Sequence, residues 1–199
     1  MNLVDLIESI SIIVASVTAT IGIFTWRSEA RWKRKYELAE DVLSRFYEAH
    51  QVLKIIRSPF GHSNEGKTRK RSESETEEER EIYDRAYVVF ERFQDKKEAV
   101  EKLQSLKFRF MTVFGKEHEK LFNELNKIMN EVFHGANEIA RLQLRHYQTI
   151  GAEERGREIR DFHKVIYSTL KIEDDPIEQR IVKLIEDVEK VCKKVIGEK

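Results

Sequence analysis

One segment of the sequence has the residue types and spacing that bind nucleotide phosphates. Gly61 and Gly66 are separated by four residues, and Lys67 and Thr68 follow directly. This matches the P-loop pattern, in which backbone amides and the lysine hold phosphates while the hydroxyl binds Mg²⁺. A nucleotide-binding site at Gly61, Gly66, Lys67 and Thr68 is therefore one hypothesis, which the flanking sequence must support.

The residues around this segment do not form the elements that position a P-loop. A P-loop needs an apolar strand before it and a helix after it, whose first amides point at the phosphate. Here a helical pattern and Pro59 precede the glycines, and the charged segment 69–74 follows them. No later apolar strand ends in an aspartate suited to hold the metal ion. Coincidence is the favoured explanation, and no cofactor is expected.

Metal and nucleophile chemistry have equally little support. Glu131 and His134 have the i, i+3 spacing of metal sites in helical bundles, but the sequence has no second Glu-x-x-His pair. The single cysteine, Cys192, cannot form an internal disulfide or a cysteine zinc cluster, and we expect it to pack as a small apolar residue. No Ser/His/Asp or Cys/His cluster is recognisable, so no enzyme activity is predicted.

The composition is typical of long helices with charged surfaces. The 199 residues include 36 basic and 36 acidic side chains but only two prolines and eight glycines. Zero net charge gives no general electrostatic reason to bind nucleic acid, so no nucleic-acid partner is expected. No segment shows the two-residue apolar alternation of a strand bounded by turns, which predicts an all-α fold.

Residues 1–26 predict a transmembrane signal anchor. No charged residue occurs from Ser9 to Trp26, and most of that run is apolar. Counted from Leu3, a helix over this run covers about 30 Å or slightly more, which matches the hydrocarbon core of a bilayer. Asp5 and Glu8 precede the run, whereas five basic residues and one acid follow it. This order predicts an external N-terminus and a cytoplasmic C-terminal part, in an inner or plasma membrane.

The charge order also argues against a cleavable signal peptide, which has its basic residues before the apolar run. Aromatic and basic residues favour the membrane interface. We assign that interface to Trp26, Arg27, Arg31, Trp32, Lys33, Arg34 and Lys35. The alternative is a buried helix of a soluble protein, because six serine and threonine hydroxyls make the run only moderately hydrophobic.

Four small residues of the anchor share one helical face, namely Ser11, Ala15, Thr18 and Gly22. A face of small residues allows two helix backbones to approach closely in lipid. Association of two copies in the membrane is therefore a hypothesis, and a small oligomeric pore is an alternative. Small residues are also common in any membrane-spanning helix, so the pattern alone leaves pairing open.

The rest of the chain predicts an antiparallel helical bundle with long, coiled-coil-like helices. Apolar residues at three- and four-residue spacing continue through a juxtamembrane stalk at 27–58, which Pro59 ends. A flexible charged loop is expected at 59–75. Its basic cluster 67–71 is expected to be neutralised by the acids that follow, and contact with anionic lipid headgroups or nucleic acid is the alternative. Residues 76–199 predict the remaining helices, with capping boxes at Thr76 and Asp175, and with His146 and Leu170 on apolar seams.

These patterns together predict a single-pass membrane protein whose cytoplasmic bundle is an interaction or oligomerisation module, of scaffold or sensor type. The expected partners are membrane lipid and either a protein partner or a second copy of the chain. The alternatives are a membrane-tethered, nucleotide-responsive protein that uses Gly61–Thr68, and the oligomeric pore.

Overall fold

The chain is all-helical over residues 3–144 and 151–197, the parts that the computed structural model describes. Five α-helices and two short 3-10 helices occur there, without a strand, which confirms the predicted all-α class. The α-helices are α1 (Leu3–Ile56), α2 (Glu77–Phe114), α3 (Glu119–Gln143), α4 (Ala152–Ile166) and α5 (Pro176–Ile196). His146, predicted to lie on the seam of α3, is outside the described residues.

Helix α1 is a single uninterrupted helix of 54 residues with two unlike parts. Every side chain from Ile10 to Glu29 is exposed, whereas an apolar stripe from Leu38 to Ile56 is buried. The exposed part is long and apolar enough to cross a membrane, by length and composition. No proline or glycine lies between Gly22 and Pro59, so nothing interrupts the hydrogen-bond ladder, and the predicted continuation of the first helix is confirmed.

The buried part of α1 packs against α2 and α5. Lys35 lies over the ring of Phe114 at the end of α2, whereas Arg92 reaches the last carbonyls of α1, so these two helices run in opposite directions. Helix α3 packs on α2, α4 and α5. We call the buried part of α1 together with α2–α5 the helical body.

Aromatic side chains from three helices form the centre of the core near the α2–α3 turn. The ring of Phe122 in α3 lies 5.3 Å from that of Phe46 in α1 and 5.8 Å from that of Phe110 in α2. Phe110 also stacks on Phe114 at 4.4 Å. All but Phe114 are fully buried, and edge-to-face contacts at these separations add to the burial of apolar area.

Helix ends follow the sequence signals in part. Thr76 begins α2 with the predicted capping box, because its hydroxyl accepts the Glu79 amide at 3.2 Å and the Glu79 carboxylate accepts the Thr76 amide at 2.8 Å. Asp175 caps α5 by accepting the Glu178 amide at 2.9 Å. The second half of that box is wrong, because the carboxylate of Glu178 turns to His50 in α1 at 2.8 Å.

The predicted place of Leu170 on an α4 seam is wrong. Helix α4 ends at Ile166, and Leu170 is fully exposed in the following connection. Tyr167 adopts an extended backbone, after which the Ser168 amide donates to the carbonyl of Arg57 at 2.8 Å. The connection therefore follows the end of α1 instead of continuing the helix.

Arg57 joins the ends of three helices. Its side chain is 1 % exposed, and its guanidinium donates to Asp175 at 2.9 Å. The same guanidinium donates to the carbonyls of Lys164, Val165 and Tyr167 at 2.8–3.0 Å. These carbonyls lie at the C-terminal end of α4, where a helix leaves acceptors without intrahelical donors. One cation thus satisfies the end of α4 and holds the residue that begins α5.

We expect Arg57→Ala to lower the free energy of unfolding by about 3–5 kcal/mol, because it leaves the buried Asp175 carboxylate without its positive partner and three carbonyls without their side-chain donor. The measurement is urea unfolding of the full-length protein in mild detergent, followed by helical circular dichroism. Arg85→Ala is the matched control, since Arg85 forms an exposed ion pair with Glu81. The control should lose no more than about 0.5 kcal/mol. Equal losses in the two variants would contradict the role of Arg57.

Candidate functional site

In the P-loop-like segment, Gly66 and Thr68 contact a carboxylate of the chain itself. The Gly66 amide and the Thr68 hydroxyl both donate to Glu91 in α2, the hydroxyl at 2.7 Å. Lys67 extends to the side chain of Asn64, at 3.2 Å. Two of the groups that would bind phosphate and Mg²⁺ in a P-loop therefore hold α2 instead.

Close packing accounts for the second glycine of the pattern. Gly66 is buried with a φ of +82°, and a Cβ added there would lie 1.9 Å from the backbone oxygen of Asp84. Only glycine combines this conformation with such a close approach. Gly61 differs, because a Cβ there would meet the side chains of Glu65 and Arg92 rather than backbone.

The surroundings of the segment also differ from those of a P-loop. Helix α1 precedes it, and the next helix begins only at Glu77, so no helix N-terminus points at Thr68. The carboxylates of Glu65 and Glu91 lie beside the loop amides, where they would repel a phosphate. The geometry is that of a loop held on a helix by hydrogen bonds to Glu91.

Arg92 is the central contact between this loop and α1, and the sequence analysis missed it. Its guanidinium donates to the carbonyls of Ser58 and Phe60, both at 2.7 Å, and to Glu65 at 2.6 Å. The ion pair lowers the pKa of Glu65. Arg92 thus caps the C-terminal end of α1, as Arg57 caps that of α4. A single arginine in a charged helix gives no sequence signal for this role.

The two arginines of the basic cluster 67–71 form ion pairs within the chain. Arg69 forms a two-pronged ion pair with Glu75, at 2.8 and 2.6 Å, and contacts Asp84 at 3.2 Å. This pairing lowers the pKa of Glu75 to about 2. Arg71 binds the other oxygen of Asp84, at 2.5 Å. Asp84 lies in α2, so part of the neutralising charge comes from outside the acidic run next to the cluster.

The residues assigned to the membrane interface lie along exposed or half-exposed turns of α1. Phe24, Trp26, Arg27 and Arg31 line one shallow surface depression together with Ala30 and Arg34. Trp32 packs on Tyr36 with ring centroids 5.3 Å apart, and Lys33 lies 4.0 Å from Glu37. Lys35 contacts Phe114, so this end of the segment meets the helical body.

The small-residue face of the anchor is exposed, and its hydroxyls are satisfied within the helix. Ser11 and Thr18 each donate to the carbonyl four residues earlier, at 2.9 and 2.8 Å. Such bonds make hydroxyl side chains tolerable in an apolar environment. Among the described residues, no atom lies within 4 Å of a Cβ added to Gly22, and Ala15 is likewise exposed. Another helix could therefore approach this face closely without a steric clash.

The remaining candidates do not assemble into a site. Glu131 forms an ion pair with Arg180, and the exposed His134 lies edge-on to Phe162 at 6.1 Å. Among the described residues, no group of three or more His, Cys, Asp or Glu is placed to hold a metal ion. Cys192 is fully buried in the core, as predicted, and burial raises the pKa of its thiol to about 12.

A polar seam between α1 and α5 also escaped the sequence analysis. Tyr47 donates to Glu189 at 2.5 Å, which raises the pKa of the Tyr47 phenol to about 12. Nearer the Arg57 end, Glu178 contacts both His50 and, at 3.5 Å, Lys54. Each pair joins residues more than 120 positions apart, so only the packed helices bring them together.

Comparisons with known proteins add no functional assignment to the geometry described above. The chain matches no family model, and neither the curated proteins nor the solved structures contain a match.

Stability should fall in alkaline solution as the two raised pKa values are approached. The unfolded chain ionises Cys192 near pH 9 and Tyr47 near pH 10, whereas the folded chain holds both groups protonated to about pH 12. Their contribution is therefore full below pH 9 and is lost as the pH rises to 12. Urea midpoints measured from pH 8 to about pH 12 should drop less steeply in a Cys192→Ala/Tyr47→Phe variant. A Ser105→Ala variant, without a titrating change, should keep the original slope.

Nucleotide should leave the protein unchanged, because the loop donors bind Glu91. ATP or GTP with Mg²⁺ should not shift the melting temperature of the full-length protein, and Lys67→Ala should melt like the original chain. Glu91→Ala should cost about 1–3 kcal/mol by leaving the buried Gly66 amide without its acceptor. The control is Glu101→Ala, since Glu101 forms only an exposed pair. A nucleotide-dependent shift that Lys67→Ala abolishes would overturn this structural role.

Proposed function

We propose that the chain is a single-pass protein of an inner or plasma membrane, with its N-terminus outside. Its antiparallel, cytoplasmic helical bundle acts as an interaction or oligomerisation module that binds a protein partner or a second copy. The observation that carries this proposal is the continuity of α1, which has an apolar, fully exposed part and a buried part in one helix. An exposed apolar surface of that length has no stable place in water.

Because α1 is continuous, rotation and tilt of the anchor are transmitted to the helical body. A helix without proline or glycine from residue 23 to residue 56 is stiff, and its part from Leu38 to Ile56 is packed in the core through one face. The rotation and tilt of the anchor in the membrane therefore set the orientation of α2–α5. A change in anchor pairing would reposition the bodies relative to each other, which is what a scaffold or sensor-like module requires.

The small-residue face of the anchor continues in phase along the exposed side of α1. At 3.6 residues per turn, the face of Ser11, Ala15, Thr18 and Gly22 projects onto a line of residues outside the membrane. That line contains Glu29, Lys33, Glu40, Ser44 and Gln51, which are all exposed. The buried stripe lies on a different side of the helix. Tyr47 lies on the same line but donates to Glu189 of α5. Two copies could therefore pair along α1 in the lipid and as far as about Ser44 beyond it without unpacking the core.

The nucleotide-responsive and pore alternatives receive less support. Glu91 takes up loop groups that a nucleotide would need, and the anchor presents only backbone-satisfied hydroxyls as polar groups between Ile10 and Thr25.

Single-cysteine variants test sidedness and pairing together, in a Cys192→Ala background. Glu40→Cys should react with a membrane-impermeant maleimide in inverted vesicles but not in right-side-out vesicles. Under mild oxidation in membranes, Glu40→Cys should form a disulfide-linked dimer, because position 40 lies on the shared face.

Arg34→Cys is the matched control, since it is exposed but lies about 120° away from that face. It should share the sidedness and form much less dimer. Labelling of Glu40→Cys from the outside would contradict the topology. Equal crosslinking at positions 34 and 40 would contradict pairing through this face.

A further inference from the structure

The turn between α2 and α3 lies at the end of the helical body nearest the anchor. Lys35 lies 5.3 Å from the ring centroid of Phe114, the last residue of α2. Since α2 runs toward the N-terminal part of α1, the residues after Phe114 lie closer still to the anchor. This turn comprises Gly115 and the 3-10 helix Lys116–His118, after which α3 leads back along the body.

The distance from this turn to lipid is short. Lys35 follows Trp26 by nine residues, which is about 13 Å along a helix. With α1 crossing the membrane as proposed and the hydrocarbon ending at Trp26, Lys116 lies about 10 Å from the hydrocarbon edge, and the headgroup layer fills about 5–7 Å of that distance. The remaining gap of about 4 Å is smaller than the Debye length of about 8 Å at physiological ionic strength.

The charge of this end is basic, although the whole chain is neutral. Residues 27–35 and 107–120 together contain nine basic and three acidic side chains, so the remainder of the chain has an excess of six acids. Glu119, the first residue of α3, is paired with Lys107 at 2.9 Å, and Glu117 in the turn is exposed and lies 3.8 Å from His118. The side chains of Lys116 and Lys120 are exposed, and no ion pair holds either within the described ranges.

The turn is also held rigidly, which preserves its position relative to α1. Gly115 has a φ of +113°, and its amide donates to Met111 at 3.0 Å. The ring of His118 lies 6.0 Å from that of the buried Phe110, which stacks on Phe114. The two lysines therefore extend from a fixed platform instead of a free loop.

We propose that the α2–α3 turn is a second membrane contact, in which Lys116 and Lys120 bind anionic lipid headgroups beside the anchor. This inference rests on the proposed function, because it requires α1 to cross the membrane. Its consequence is that the helical body is held at two points, α1 and the turn, so that its tilt against the membrane depends on lipid charge. Each lysine near an anionic surface should favour contact about fivefold.

The test measures energy transfer from a fluorophore on the turn to acceptors on lipid headgroups. Val113 lies beside the turn and is exposed. The fluorophore is attached to Val113→Cys in the full-length Cys192→Ala chain, which is reconstituted in vesicles. Transfer should rise about twofold when about 30 % phosphatidylglycerol replaces phosphatidylcholine, and high salt should remove the rise. Lys116→Glu/Lys120→Glu should abolish it. Lys70→Glu/Lys171→Glu, at exposed lysines far from the anchor, should preserve it.

Three results would overturn the inference. Transfer that is equal in both lipids, or unchanged by Lys116→Glu/Lys120→Glu, would show that the turn does not bind headgroups. Binding of a short DNA or RNA duplex that Lys116→Glu/Lys120→Glu removes, without a lipid effect, would assign the surface to nucleic acid. Flotation of the vesicles at alkaline pH shows whether the chain is still inserted, and so separates these results from failure of the anchor. A chain that stays inserted but shows no lipid effect refutes only the second contact.

Discussion

The buried guanidinium of Arg57 donates to the carbonyls that end α4 and to the carboxylate that begins α5, while its backbone carbonyl accepts the Ser168 amide. The other helix contacts at this end of the body depend on this arrangement. Three helix termini meet there away from water, and each leaves backbone groups that need partners. An arginine can serve several acceptors at once because its donors form a planar fork.

Arg92 repeats the same solution at the next helix end. It caps α1 through the carbonyls of Ile55 and Ile56. It also donates to the carbonyls of Ser58 and Phe60 and to Glu65, so the loop around Pro59 is attached to α2. Glu91, its neighbour, holds Gly66 and Thr68. Two adjacent residues of α2 thus account for the contacts of a segment that resembles a phosphate-binding loop. The resemblance lies in the order of residue types, whereas the groups themselves are engaged by the chain's own side chains.

One helix, α1, connects the helical body to the anchor. The positions of the basic residues relative to the anchor therefore follow from how the other helices pack on α1. The basic residues after the apolar run and those of the α2–α3 turn are far apart in the sequence but lie at the same level along α1, because Phe114 packs against Lys35. The excess of six acids is spread over the rest of the chain. A chain with zero net charge therefore has a basic end, and the anchor lies at that end.

Local sequence determined the helices, the continuity of α1, the cap at Thr76 and the burial of Cys192, because helix formation and amphipathic burial depend on residues three or four positions apart. It failed where partners are distant. The sequence predicted Leu170 on an apolar seam and Glu178 in a capping box. Instead, the connection after α4 bonds to the end of α1, and the Glu178 carboxylate bonds to His50. Arg57, Arg92 and Glu91 could not be distinguished from surface charges, since a charged residue shows its partner only after packing brings together positions that are 23 to 118 residues apart. Tertiary structure alone decided those contacts, because burial makes an unpaired charge costly and so selects the one arrangement that pairs it.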